Sequence, residues 1–274
     1  MGRRKNRIRT SLSVNIFQGI NYIFLTILAL LCVYPMWYAF AASVSESSKM
    51  MMHMGILLKP LGFTLAAYKQ VFSNPNILTG YANTLFILIV GVIVCIFMTS
   101  LGAYVLSRKN LMWRNVMMMI IMFTMFFSGG MIPFYMNLKE LHLTNSLWGL
   151  IIPFMINTYN MVILRTAFAS IPDSLVEAAQ IDGASHITIL KNIVLPLSKA
   201  TVAVLVLYYG VEKWNAWFWA SCIIRDRELL PLQVILREIL LSSTQSMQMG
   251  ATGDTEAICI TIRYATIIVA TVPI

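Results

Sequence analysis

The chain reads as an all-α integral membrane protein with about six transmembrane helices, and three observations carry that reading. Hydrophobic residues fill 58% of its 274 positions, charged residues fill 11%, and mean hydropathy is +0.75, whereas about a quarter of residues in soluble domains are charged. Apolar runs of about 20 residues, enough to cross a core of about 30 Å at 1.5 Å per residue, recur along the chain. Lysine and arginine gather beside these runs: eleven fall where a six-span layout places the inside and seven where it places the outside, a bias that sets both termini in the cytoplasm. The net charge of +9 is thereby a matter of topology and anionic lipid, and nucleic-acid binding is excluded.

In chain order, residues 1–21 form a basic cytoplasmic tail carrying Arg3, Arg4, Lys5, Arg7 and Arg9, and residues 22–44 form the first span. Ala39-Phe40-Ala41 has the form of a signal-peptide cleavage site, but the apolar run is too long for such a leader and five more follow, so the span is expected to stay. Residues 45–80 are a polar extracellular loop, punctuated by Pro60, Gly62 and Asn74-Pro75. Its methionines, Met50 to Met54, lack cysteine or histidine partners and are expected to pack rather than bind metal. Residues 81–274 form a core with spans at 82–106, 116–136, 146–169 and 200–224, and a last one from about 258 that is still apolar at Ile274. That last span looks cut short. Cys32, Cys95, Cys222 and Cys259 are isolated and His53, His142 and His186 scattered, so no metal site is expected and the cysteines read as small buried hydrophobes.

Between the fourth and fifth spans lies the polar loop 170–197, in which two short helices should meet at a corner. Pro172 suits a first helical turn, and Ser174 with Glu177 has the form of a capping box. Asp182-Gly183 supplies a stop, because glycine accepts the left-handed conformation. Ser185 can cap a second helix carrying Ile187, Leu190, Ile193 and Val194 at helical spacing, until Pro196 forces an end or a kink.

Glu177-Ala178-Ala179, Gly183 four positions on, and the ending Ile193-x-Leu195-Pro196 resemble the EAA loop of the permease subunits of bacterial ABC importers. The strings GFTLAAYKQVF, YANTLF and TMFFSGGMIPFY resemble the sugar-importing, oligosaccharide branch of that family. The resemblance runs from about Phe63 onward. It implies a type I ABC importer permease fold and a cytoplasmic coupling loop, with Glu177, Ala178, Ala179, Asp182, Gly183 and Ala184 facing the ATPase. It also implies a second permease chain in a heterodimer, an ABC ATPase dimer that binds ATP and Mg, and an extracellular solute-binding protein. An importer permease for a solute other than a sugar is the alternative within the family.

Polar residues inside spans nominate a pathway. Glu212, Lys213, Trp214, Asn215 and Trp217 lie in the fifth apolar run, and adjacent residues point about 100° apart on a helix, so Glu212 and Lys213 should face different surroundings. Aromatic rings stack on sugars, while Asn, Glu and Lys bond hydroxyls or carboxylates; the tryptophans equally fit an interfacial belt. The Trp-Asn pair resembles sugar-importer permeases, whereas Glu212 and Lys213 depart from that pattern. An oligosaccharide is the expected cargo, uronate-containing ones being those that could use Lys213; which sugar it is does not follow from the sequence. An ion-coupled secondary transporter using Glu212 is the rival reading; no inverted repeat of the central loop accompanies it. The chain carries no phosphate-binding G-x-x-x-x-G-K-[ST] loop, no H-E-x-x-H and no nucleophile triad, so it is expected not to be an enzyme, with no catalytic residue and no cofactor of its own.

Overall fold

The computed structural model describes residues 12–53, 55–73, 75–248 and 253–272. Its helices are α1 (Leu12–Ser43), α2 (Ser47–Met52), α3 (Ala66–Phe72), α4 (Pro75–Ser107), α5 (Arg114–Phe126), α6 (Met131–Glu140), α7 (Thr158–Ala169), α8 (Asp173–Ile181), α9 (His186–Ile189), α10 (Leu195–Leu197), α11 (Lys199–Trp214), α12 (Phe218–Ile223), α13 (Leu232–Gln248) and α14 (Gly253–Thr271). The chain folds as two compact units, one holding α1 to α3 and α14, the other running from α4 through Glu238 in α13.

In the first unit α14 packs on α1, α2 and α3. Ala41, Ala42, Met50 and Leu57 form its buried centre, with Tyr38, Ile260 and Tyr264 against it. The Ser45 hydroxyl donates to the Ala41 carbonyl at 2.6 Å and accepts the Leu61 N–H at 3.0 Å, so the chain leaving α1 is tied to the loop that follows. The apolar side chains of α1, Phe17, Ile20, Phe24 and Leu31 among them, stay exposed, as suits a helix bathed in lipid.

In the second unit α4 packs on α7 and α11, around a core that includes Tyr104, Leu164, Phe168, Ile189 and Leu205. Tyr209 is fully buried at the middle of this packing. Its hydroxyl shares a 2.7 Å hydrogen bond with Thr99 of α4 and accepts the Asn157 N–H at 3.2 Å.

Several expected boundaries move. The first helix begins at Leu12, ten residues ahead of the expected span; the basic residues Arg3 to Arg9, Met54, Asn74 and the chain end at 273–274 lie outside the described residues. The loop expected over 45–80 contains α2, α3 and the first residues of α4, whose 33 residues extend about 50 Å. Only α1 and α4 are unbroken crossings among the described residues. The third span breaks at Gly129-Gly130, where Gly130 has φ +89° and α5 and α6 meet at 110°. The fourth opens as 3₁₀ turns at Leu147–Leu150 and Ile152–Phe154 before a 48° bend into α7. There the Asn157 side chain accepts the N–H groups of Tyr159 and Asn160 and starts the new helix. The fifth ends at Trp214 instead of running to Ile224. After Pro231, where no span was expected, α13 forms and buries Leu232, Val234, Ile235 and Leu236. Of the four cysteines only Cys95 is buried, Cys32 lying exposed on α1. Met50 packs in the core while Met52 is exposed.

Candidate functional site

The polar loop folds as the expected corner, with one change at its start. Pro172 has extended backbone, φ −55° and ψ 131°, and α8 starts at Asp173, so Ser174 lies inside the first turn and the box with Glu177 does not form. Asp173 takes over the helix start. Its carboxylate meets Lys109 Nζ at 2.7 Å and sits where the helix dipole favours negative charge. The hydrogen bond from Lys109 holds this carboxyl below the usual carboxylate range.

The far end of α8 closes as a Schellman motif. Gly183 adopts φ +80°, its N–H bonds to the Gln180 carbonyl at 3.0 Å, and the Ala184 N–H reaches back to Ala179 at 2.9 Å. This closure sorts the candidate residues. Ala179 and Ala184 turn inward, packed on the core beneath, while Glu177, Ala178, Asp182 and Gly183 are exposed. Between them two isoleucines stand in the open, Ile181 at 86% exposure and Ile187 at 73%. Ile187 had been placed on the apolar side of the second helix; it faces outward because Ile189, Leu190 and Val194 already fill the inward side. Sequence spacing could not single out either isoleucine.

Beyond Ser185, whose hydroxyl caps α9 by accepting the Thr188 N–H, the helix widens into a π turn over Leu190–Val194. The bend expected at Pro196 comes two residues later, at Ser198, where the chain turns 88° into α11. The loop thus leads directly into the helix that carries Glu212 and Lys213.

At the far end of α11 those two residues do separate. Glu212 is exposed, whereas Lys213 is 5% exposed. Lys213 Nζ donates to the carbonyls of Leu150 and Phe154, at 3.2 and 3.4 Å, and lies 5.4 Å from the centre of the Phe154 ring. Those carbonyls belong to the interrupted fourth span, where the 3₁₀ turns leave acceptors that a regular helix would have used. The aliphatic stem of the lysine runs past Gly91, where a Cβ would stand 3.5 Å from its Cε.

Beside the ammonium is a cavity of about 230 Å³ lined by Leu150, Phe154, Glu212, Lys213, Ala216 and Trp219. Phe134 closes the aromatic set, its ring centre 4.6 Å from that of Trp219 and 5.6 Å from that of Phe154. The other candidates of this segment lie elsewhere. Trp214 is buried 6.4 Å from the Tyr81 ring and helps wall an apolar groove between α4 and α11. The Asn215 amide donates back to the Val211 carbonyl at 2.9 Å, and Trp217 lies under the Arg237 guanidinium at 4.0 Å. Phe134 and Phe154 were not foreseen, since the bent spans alone bring them to Trp219.

A family profile described as "Binding-protein-dependent transport system inner membrane component" matches residues 105–273. Among curated proteins, the chain is 38% identical over 266 residues to the "Polygalacturonan/rhamnogalacturonan transport system permease protein YtcP" of Bacillus subtilis (strain 168), covering 94% of this chain and 91% of that one. It is 36% identical over 263 residues to "Protein LplC" of the same organism, covering 94% and 88%. Among solved structures it matches a chain of the "bacterial ABC transporter involved in the import of the acidic polysaccharide alginate", with a TM-score of 0.84 and 32% identity over 97% of this chain and 98% of that one.

Proposed function

The chain belongs to the family of binding-protein-dependent transport system inner membrane components, and from that premise we propose that it is the permease subunit of an ATP-driven ABC importer that carries an oligosaccharide across the cytoplasmic membrane. It is a multi-pass transport subunit. In the proposed assembly a second permease chain completes the translocation path, a separate ATPase dimer binds ATP and Mg and hydrolyses the nucleotide, and an extracellular binding protein delivers the saccharide. The N-terminus and the loop at 170–197 then face the cytoplasm.

One observation carries the coupling role. The loop is internally closed by the Schellman motif and anchored by Ala179 and Ala184, yet it presents Ile181 and Ile187 bare beside Glu177 and Asp182. Two apolar anchors with a charged rim, on a corner that cannot unwind without losing its own hydrogen bonds, make a rigid plug for a groove on another protein. Because the loop continues into α11 through Ser198, a push on the plug reaches the cavity beside Lys213 along one helix. Sugar transport rests on the aromatic rings at that cavity and on the carbohydrate named for the YtcP relative.

The test is affinity purification of the tagged chain from its native membranes in mild detergent, with mass spectrometry of what stays bound. A second permease and an ATPase should be recovered, and Ile181→Asp should release the ATPase while leaving the permease pair intact. Recovery of the chain alone, with uptake that survives ATP depletion and collapses with the ion gradient, would sink the reading.

A further inference from the structure

We infer that the cavity beside Lys213 is a carboxylate-binding subsite that takes one uronyl unit of an acidic saccharide. The inference rests on the importer reading and narrows its cargo. The ion pairs among the described residues are Glu46–Lys49, Asp173–Lys109 and Arg227–Glu238, so the buried Lys213 ammonium has no carboxylate within 4.0 Å. An ammonium carries three N–H donors, and the carbonyls of Leu150 and Phe154 take two. Carbonyls solvate the charge without neutralising it, and a cation held in a membrane span with no carboxylate in contact is costly. An arriving carboxylate supplies the missing charge and an acceptor for the third donor.

The rest of the lining suits the remainder of such a sugar. Glu212 lines the same cavity, more than 4.0 Å from the ammonium; it accepts hydrogen bonds from hydroxyls and repels a second carboxylate. The Trp219 and Phe154 rings give an apolar wall for a pyranose face. At about 230 Å³ the space is below the roughly 300–1,000 Å³ of sites that enclose drug-sized ligands, so it admits one ring of a chain. The subsite also lies at a joint: Lys213 staples α11 to the interrupted fourth span, and a carboxylate that engages its third donor bears on that staple.

The experiment titrates the detergent-purified complex by calorimetry with trigalacturonate and with its neutral methyl ester. Wild type should bind the acid about tenfold tighter than the ester; Lys213→Gln should lose that preference and Lys213→Arg keep it. Equal binding of acid and ester by wild type overturns the subsite without any variant being made. Equal weakening of both saccharides in Lys213→Gln, a structural effect only, overturns it too. Uptake into ATP-energised vesicles keeps the two levels apart. ATP-driven entry of the ester as fast as the acid overturns the subsite and leaves the importer standing, whereas entry that survives ATP depletion removes the importer reading and the subsite with it.

Discussion

Gly183 sets the geometry of the coupling corner. Its φ of +80° is the left-handed region, and an added Cβ would find nothing within 4 Å, so a substitution there carries a conformational cost and no clash. For alanine that cost is about 1–2 kcal/mol, and asparagine tolerates the region better. Saccharide-stimulated ATP hydrolysis by the purified complex should therefore rank Gly183, then Gly183→Asn, then Gly183→Ala. An alanine variant as active as wild type would show that the Schellman closure is not what positions Ile181 and Ile187. The neighbouring Asp173–Lys109 pair is exposed and serves register more than stability.

Among the elements, the interrupted spans are the informative ones. A membrane helix can break only where its freed backbone groups find partners inside the protein, and the fourth span meets that condition through side chains from other helices. Lys213 takes two of its carbonyls, and the Tyr209 hydroxyl accepts the Asn157 N–H while bonding Thr99. Tyr209→Phe removes the hydroxyl and strands the buried Thr99 hydroxyl and the half-buried Asn157 N–H, a loss of about 1–3 kcal/mol. Thermal unfolding in detergent should show a midpoint a few degrees lower, with Thr99→Val in the Tyr209→Phe background adding little because the pair shares one bond. Full additivity of the two substitutions would count against the shared bond.

At the scale of the molecule, orientation is the testable property. Ile187 and Arg227 lie beyond opposite ends of α11, which at 16 residues is about 24 Å long. In a background with the four cysteines replaced, Arg227→Cys should react with a membrane-impermeant maleimide added to intact cells, and Ile187→Cys only after the membrane is opened. Bound ATPase should protect the latter. The reverse pattern would invert the topology inferred from the Lys and Arg bias.

The sequence by itself determined the compartment, the helical class and the polar corner with its glycine stop. These are local or compositional properties: twenty apolar residues span a bilayer whatever packs beside them, and Asp182-Gly183 ends a helix through its own torsion angles. It missed the break at Met155–Asn157, the helix after Pro231, and the outward turn of Ile187. In each of those places contacts from distant segments decide between competing local conformations. The sugar-facing candidates divided the same way. Glu212 and Lys213 announced themselves as charges in an apolar run. That Lys213 is buried, that it holds the carbonyls of Leu150 and Phe154, and that Trp219 lines its cavity with Phe134 packed against it while Trp214, Asn215 and Trp217 turn elsewhere follows only from the tertiary structure, because residues some sixty positions apart meet there only once the spans have bent.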